Sequence, residues 1–363
     1  MKVLITYVSA GAGHRRAAEA VYDYLKNNRK DLTVELVDIL PFANSFFRFC
    51  YNSGYPFLVH YATWLWGFFF WVTESRLTRW LSRKGALIVN YLGCRRFVAY
   101  LIRENFDFII STHFLNSELV ANLKVKNKIQ AKLITVITDF GVHPFWVSKG
   151  TDLYIAACGS TKEKLLNMGV IEQKIQASGI PFSPSFVKTQ NRAELAEKFG
   201  IGKNKFTVLL MTGSFGVGPL EEIAESLSAQ AQVLVVCAKN KKLFIRLQKR
   251  NLENVKVFGF VDNAEELMAV SDIIVTKPGG SSIAELLNME LLPVFIAAIP
   301  GQESQNAKVL ASYHVGSVTN NIKKIKDLIL DLKNNPQRIE ELRQKIREIK
   351  KPFACQELAS VIR

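Results

Sequence analysis

Two kinds of hydrophobic spacing alternate along the chain. Short unbroken apolar runs recur at residues 2–7, 33–38, 108–111, 132–138 and 153–156, and again in "FTVLLMTG", "QVLVVCA", "VKVFGFV", "DIIVTK" and "LPVFIA". β-Strands covered on both faces require such runs. Between them lie segments of helical spacing, among them 15–25, 219–229 and 282–287, and the charged stretch 323–351 reads as amphipathic helices. Strand and helix in alternation build right-handed β-α-β units and an open parallel sheet, with ligands at the carboxyl ends of the strands. The Pro- and Ser-rich stretch "SGIPFSPSFVKTQNR" divides the series and reads as a linker. The pattern therefore predicts an α/β chain with two sheets in tandem and a cleft between them. The expected boundaries are 1–184, 190–345, and a last helix, 346–363, packing back on the first domain.

One stretch breaks the alternation. No Asp, Glu, Lys or Arg occurs from residue 49 to residue 73, in "FCYNSGYPFLVHYATWLWGFFFWVT". That length invites a transmembrane reading. Against it, strands expected to pair in one sheet lie on both sides of the run, and Gly54 and Pro56 interrupt it. The continuation "ESRLTRWLSRK" interleaves Arg76, Arg79, Arg83 and Lys84 with Leu77, Trp80 and Leu81. Aromatics beside a basic amphipathic stretch suit an element lying among lipid headgroups. The expected membrane contacts are Trp64, Trp66, Phe69, Trp71, Arg76, Arg79, Trp80 and Arg83. A buried aromatic core and a true span are the alternatives. The aromatics are packed too densely to alternate with phosphate contacts along a nucleic acid.

Composition narrows the class. A chain of 363 residues favours two domains over one small core, and 48% hydrophobic with 22% charged residues describes a globular protein. The net charge of +15 suits anionic lipid, nucleic acid or phosphorylated ligands. Five scattered cysteines without a CxxC argue against a disulfide framework or a zinc site and fit a reducing cytosol. The N-terminus enters a strand at once, so no signal peptide is expected.

Three strand-to-helix junctions carry glycine. The first, "SAGAGH", places Gly11 and Gly13 before a helix and His14 at its start. A dinucleotide fold wants G-x-G-x-x-G, but Arg16 fills the third place; Asp38 keeps a dehydrogenase reading open only as the acidic ribose ligand. An imidazole at a helix N-terminus is held neutral, as a general base must be, although a capping or packing histidine is equally compatible. The second junction, "TGSFGVGP", donates N–H groups to phosphate without the form of a P-loop. The third, "TKPGGSSIAE", opens a helix with Gly279, Gly280, Ser281 and Ser282, and sets Glu285 one turn in to grip a ribose diol. "PGQESQN" adds Gln302, Glu303 and Asn306, which suit sugar hydroxyls. Each piece alone is also an ordinary α/β turn.

Together these marks resemble the monogalactosyldiacylglycerol synthase and processive diacylglycerol glucosyltransferase group, related to the enzyme that adds N-acetylglucosamine to lipid I. The resemblance runs over nearly the whole chain: "SAGAGH", "STHF", "TDFGVHPFW", "GSFG", "VFGFVDN" and "KPGGSSIAE…PGQESQN". It implies the GT-B fold, two Rossmann-like domains whose parallel sheets face an interdomain cleft. It also implies inverting, metal-independent transfer of a hexose from a UDP-sugar to diacylglycerol, with no cofactor. The absence of a D-x-D triplet agrees with that. By the resemblance, His14 is the catalytic base. Gly213 and Ser214 face the diphosphate, and the backbone at Phe260 holds uracil. Gly279, Gly280, Ser281, Ser282 and Glu285 bind phosphate and ribose, and Gln302, Glu303 and Asn306 the hexose. Gly11, Gly13, His113, Asp139, His143 and Trp146 lie on the acceptor side. The implied partners are UDP-sugar, diacylglycerol and an anionic membrane surface, with no nucleic acid, at the cytoplasmic face of the membrane as a peripheral or monotopic protein. The rival readings are a polyprenyl-linked or soluble acceptor, and a non-catalytic peripheral protein that senses UDP-sugar.

Overall fold

In the computed structural model the first strand, β1 (Lys2–Tyr7), sends alternate residues to opposite faces of a sheet. Leu4 enters a core with Phe97, Leu101, Ile109, Leu115 and Leu133. Val3 and Ile5 enter a second core with Val21, Leu25, Ile110 and Ile134. Both faces are thus covered, which is why the strand reads as one apolar run. Each fully buried Leu or Ile contributes roughly 1.5–3 kcal/mol. The structure describes residues 1–9, 11–54, 57–58, 62–74, 79–187, 190–214, 216–296 and 298–363; the side chains at 63, 66, 69–70, 74 and 79–82 are outside the description.

Among the described residues, twelve strands form two six-stranded parallel sheets. The first contains β1, β2 (Thr33–Asp38), β3 (Phe108–Ser111), β4 (Lys132–Val136), β5 (Leu153–Ile155) and β6 (Ile175–Gln176), in the order β2-β1-β3-β4-β5-β6. Ile5 lies opposite Leu36 on one side and Ile110 on the other. The second contains β7 (Thr207–Met211), β8 (Gln232–Val236), β9 (Val255–Phe258), β10 (Ile273–Thr276), β11 (Leu292–Phe295) and β12 (Ser317–Val318), in the order β12-β11-β10-β7-β8-β9. Each sheet reverses its strand order once, between β1 and β3 and between β7 and β10. In open α/β sheets, that is where a crevice forms beyond the carboxyl ends of the strands.

The chain separates into two compact units. Met1–Ser183, Ile299–Asn306 and Phe353–Arg363 form the first, and Pro184–Ala298 with Ala307–Pro352 form the second. The helix Ala354–Ser360 belongs to the first unit: Leu358, Ala359 and Ile362 complete the core beside Ala18 and Val21. Arg29 donates from Nη1 to the carbonyl oxygens of Ala359 and Ile362, satisfying the end of that helix. In the second unit, Asp272 accepts both a paired contact from Arg192 (2.8 and 2.9 Å) and the N–H of Thr207. It thereby ties the helix Arg192–Lys198 to the start of β7.

The aromatic run does not form a single long element. It begins in the helix Ser45–Phe49, passes through a π-helical turn at Cys50–Gly54, and later forms the helix Thr63–Glu74. No single helix among the described residues is long and apolar enough to cross a membrane; one pair, bent by 75° at residue 94, passes the length and composition test only together. Trp64 and Trp71 are 74% and 65% exposed, and Phe46, Phe49 and Phe68 are exposed as well. These rings are therefore not a buried core. Arg83 is half-buried and donates to the carbonyl of Val147. Of the expected membrane contacts, Arg76 lies outside the described residues, as do the side chains of Trp66, Phe69, Arg79 and Trp80.

Candidate functional site

At the reversal point of the first sheet, three strand ends converge on one imidazole. The helix Ala12–Asn28 follows β1 with Gly11 at its N-cap and no side chain capping its first turn. His14, its third residue, places Nδ1 2.8 Å from the carbonyl oxygen of Thr112, just past β3. The same Nδ1 lies 2.7 Å from the hydroxyl of Thr138, beyond β4. A carbonyl oxygen only accepts, so Nδ1 carries the proton and Nε2 keeps its lone pair. Thr112 returns a bond from its hydroxyl to the carbonyl of His14 (2.9 Å), closing the clamp. Burial pushes the imidazole down to about 4, against the opposing pull of the Thr112 carbonyl. The ring is hemmed in by protein yet keeps an edge on a cavity, and it is neutral at pH 7.

That cavity, about 480 Å³, lies within the first unit. Phe49, Tyr51, Leu58, Phe114 and Phe145 make its walls apolar, and Gly11 lies at its edge with open space where a Cβ would stand. Its polar lining includes His14, His113, Asn90, Glu118 and Gln302. The His113 ring meets His14 edge-on at 4.5 Å and accepts the N–H of Leu115 at its own Nδ1. Burial, with His14 nearby, holds this second imidazole neutral too. Phe49 is exposed as well as lining, so it stands at an opening.

The other residues grouped with the acceptor by sequence stand behind this wall. Trp146 is fully buried in a core with Tyr154 and Leu165 and backs the His14 ring at 6.3 Å. His143 accepts from the N–H of Phe145 and meets the Thr73 hydroxyl at 3.2 Å. Asp139 accepts from Asn306 (3.2 Å) and Gln302 (3.4 Å). Burial pushes its carboxyl up to about 6, and Glu303 nearby pushes the same way. Asn306 also accepts the N–H groups of Phe140 (2.8 Å) and Gly141 (3.0 Å) and is wholly buried. Gln302, Glu303 and Asn306 thus belong with the first unit. Gln302 reaches the cavity, the Glu303 carboxylate receives the N–H of Ile299 (2.7 Å), and Asn306 clasps residues 139–141.

In the second unit, the reversal between β7 and β10 brings two glycine turns to neighbouring strand ends. Gly213 has φ +76°, a conformation glycine adopts without penalty, and a Cβ there would meet nothing. Gly279 caps the helix Gly280–Asn288 with no side chain bonding its first turn, so the N–H groups of Gly280, Ser281 and Ser282 face outward at the positive end of the helix. Two hydroxyls at these turns, Thr212 Oγ1 and Ser281 Oγ, are buried without a hydrogen-bond partner among the described residues. Buried polar groups rarely stay unpaired, so these two hydroxyls mark the turns as unusual. Ser214 is half-buried beside Gly213, Glu285 is buried one turn into the helix, and Phe260 is exposed two residues past β9.

Sequence reasoning quoted Thr112 and Thr138 within "STHF" and "TDFGVHPFW" but gave neither a role, because a threonine at a strand end does not show which distant side chain it meets. It also missed Asn90 and Glu118, on the helices Arg79–Gly93 and Phe114–Val125, where no motif marks either residue.

Comparison with known proteins divides the chain along the same two halves. Residues 14–182 match the monogalactosyldiacylglycerol (MGDG) synthase family, and residues 207–357 match the glycosyltransferase family 28 C-terminal domain. A processive diacylglycerol beta-glucosyltransferase of Staphylococcus haemolyticus is 26% identical over 96% of this chain and 89% of its own. One from Bacillus cereus is 29% identical over 84% and 79%. Among solved structures, Anabaena HepE in complex with UDP shares the fold at 16% identity and TM-score 0.58, covering 100% of this chain and 99% of its own. Acinetobacter baumannii MurG does so at 13% identity and TM-score 0.59, covering 99% of each. Both matches fall in that order, so the chain joins a region similar to the MGDG synthase family to one similar to the family 28 C-terminal domain.

Proposed function

We propose that this protein transfers a hexose, glucose by the names of its relatives, from a UDP-sugar to the free hydroxyl of diacylglycerol. The transfer inverts the anomeric centre, needs no metal, and takes place at the cytoplasmic surface of the membrane. The observation that carries the reading is the clamped imidazole: Thr112 and Thr138 hold the proton on Nδ1 and leave Nε2 as an acceptor beside an apolar cavity. An acceptor with acyl chains suits those walls, and its hydroxyl needs a base.

In the reaction, the acceptor oxygen bonds to the anomeric carbon while its proton passes to His14 Nε2. The bond from that carbon to the diphosphate breaks on the opposite face, and the electron pair leaves with UDP. General base help of this kind is worth ~10²–10⁴-fold. The N–H groups at Gly213 and Gly280–Ser282, with the Thr212 and Ser281 hydroxyls, answer the charge that gathers on the diphosphate. Glu285 holds the ribose and the backbone at Phe260 the uracil, while Gln302 and Glu303 meet the hexose. Asn306 acts as a positioning residue, since its amide is engaged with residues 139–141. The exposed rings of Phe46, Phe49, Trp64, Phe68 and Trp71 rest in the lipid surface, with the net charge of +15 favouring an anionic leaflet.

Incubation of the protein with labelled UDP-glucose and vesicles containing diacylglycerol tests this directly. Glucosyl-diacylglycerol should appear, and His14→Ala should remove the product while leaving UDP affinity nearly intact. Failure of the unaltered protein to form any glycolipid from a panel of UDP-hexoses refutes the assignment, and full turnover by His14→Ala refutes the role of the imidazole.

A further inference from the structure

One proton at the apolar cavity has no task in the transfer itself. His113 lines the cavity, caps the helix Phe114–Val125 and is only 4% exposed. Its Nδ1 lies 3.1 Å from the N–H of Leu115. A backbone N–H only donates, so Nδ1 offers its lone pair, and the neutral ring carries its proton on Nε2. Nothing among the described residues accepts that Nε2–H. His14 is the opposite tautomer, with its proton on Nδ1 and its lone pair on Nε2. The two rings meet edge-on, with centroids 4.5 Å apart. A proton acceptor and a proton donor thus stand side by side, on rings that burial keeps uncharged.

A buried donor left unpaired is costly, so a molecule that fills the cavity has to answer it. Hydrocarbon chains do not. An ester carbonyl does, and diacylglycerol carries one on the carbon bonded to the carbon that bears its free hydroxyl. Hydroxyl and carbonyl therefore reach the two rings together. A glycerol with two ether-linked chains brings the same hydroxyl without the carbonyl. We infer that His113 is a specificity-determining residue, whose Nε2–H holds the ester carbonyl next to the reacting hydroxyl and so aims that hydroxyl at His14 Nε2. The inference rests on the proposed transferase function and adds to it the second atom by which the lipid is recognised.

The test compares kcat/KM for diacylglycerol and for a dialkylglycerol of equal chain length in the same mixed micelles, with UDP-glucose as donor. Leaving a buried N–H unpaired corresponds to about 5- to 100-fold in rate. The unaltered protein should therefore prefer the diester by at least about fivefold. A mixed lipid whose one ester is next to the hydroxyl should behave as the diester, and one with an ether there as the diether. His113→Asn keeps an oxygen to cap the Leu115 N–H but withdraws the donor from the far edge of the ring, so it should bring the ratio of diester to diether close to one. An unchanged ratio in His113→Asn would leave His113 as a helix cap and overturn the inference. So would an unaltered protein that uses diester and diether equally well, and the transferase reading would then survive. If the unaltered protein uses neither lipid, both fall. A circular dichroism melt checks that His113→Asn folds; should it not, the mixed lipids decide with the unaltered protein alone.

Discussion

The acid limb of the pH–rate profile tests the clamped imidazole most sharply. An ordinary histidine titrates near 6.5, whereas burial holds His14 at about 4. Between pH 7 and pH 5 a group at 4 stays at least ~90% neutral, while one at 6.5 falls from roughly three quarters neutral to about 3%. kcat/KM at sub-saturating donor reports the free enzyme, whose environment is the one described. The imidazole therefore predicts a loss of only about a tenth over that range, where an unperturbed histidine would lose more than 20-fold. Asp139, pushed up to about 6, titrates within the window, so the same profile is recorded for Asp139→Asn. The same shift makes stability depend on pH. With the folded pKa depressed, the unfolded chain binds more protons between 6.5 and 4. The contribution is therefore complete above 6.5, is lost as pH falls through that window, and changes no further below 4. Its upper bound is about 3 kcal/mol. A limb near 6.5 in both the unaltered protein and Asp139→Asn would refute the reasoning, because the base would then be solvated and the clamp without effect.

Other perturbations follow from single contacts. Thr138→Val removes one of the two acceptors on His14 Nδ1 and should lower kcat by about 2- to 10-fold with little change in KM for the donor, read by steady-state assay. Asn306→Ala leaves the buried N–H groups of Phe140 and Gly141 unpaired, at ~1–3 kcal/mol each, and should lower the melting temperature by several degrees in a calorimeter. Asp139 has the opposite linkage to His14. Its raised pKa makes it stabilising below about 3.8 and progressively costly as pH rises through 6, so Asp139→Asn should steepen the loss of stability on acidification, measured by urea unfolding at pH 4.5 and 7. Replacing Trp64 and Trp71 with Ser should weaken sedimentation with anionic vesicles roughly tenfold per ring, since both are exposed and neither supports the core.

The legible part of the fold was the part written in short-range pattern. Val3-Leu4-Ile5 announces a doubly covered strand in its own letters, and Gly11, Gly213 and Gly279 mark the backbone turns that follow β1, β7 and β10. Contacts between elements distant in sequence were not legible. Thr112 and Thr138 lie 98 and 124 residues from His14, and nothing in either neighbourhood requires a threonine until β3 and β4 bring both hydroxyl-bearing ends beside β1. The same holds for "PGQESQN". Its composition suits sugar hydroxyls, yet the Asn306 amide is consumed by the backbone at 140 and 141, a demand visible only once those N–H groups are seen buried. Predicted strands 132–138 and 206–213 end early, at Val136 and Met211, because the residues that follow turn out of the sheet to build the two sites.

The unsatisfied groups sort by unit, and that sorting connects the chemistry to the physics of burial. Around the cavity of the first unit the available atoms include several acceptors, the lone pair on His14 Nε2 and the oxygens of Asn90 and Glu118, while the neutral His113 keeps its proton on Nε2. At the glycine turns of the second unit they are donors: the uncapped N–H groups at the helix start and two stranded hydroxyls. A protein that left both sets against water would gain nothing by burying them, because each unpaired polar atom costs about 1–3 kcal/mol. The cost is recovered only when one set meets hydroxyl protons and the other meets an anion. Nucleotide-sugar transfer to an alcohol presents those two demands at once. The net charge of +15 plays no part in this division, since neither site holds a lysine or arginine that the argument requires, and that charge is left free to act at a surface.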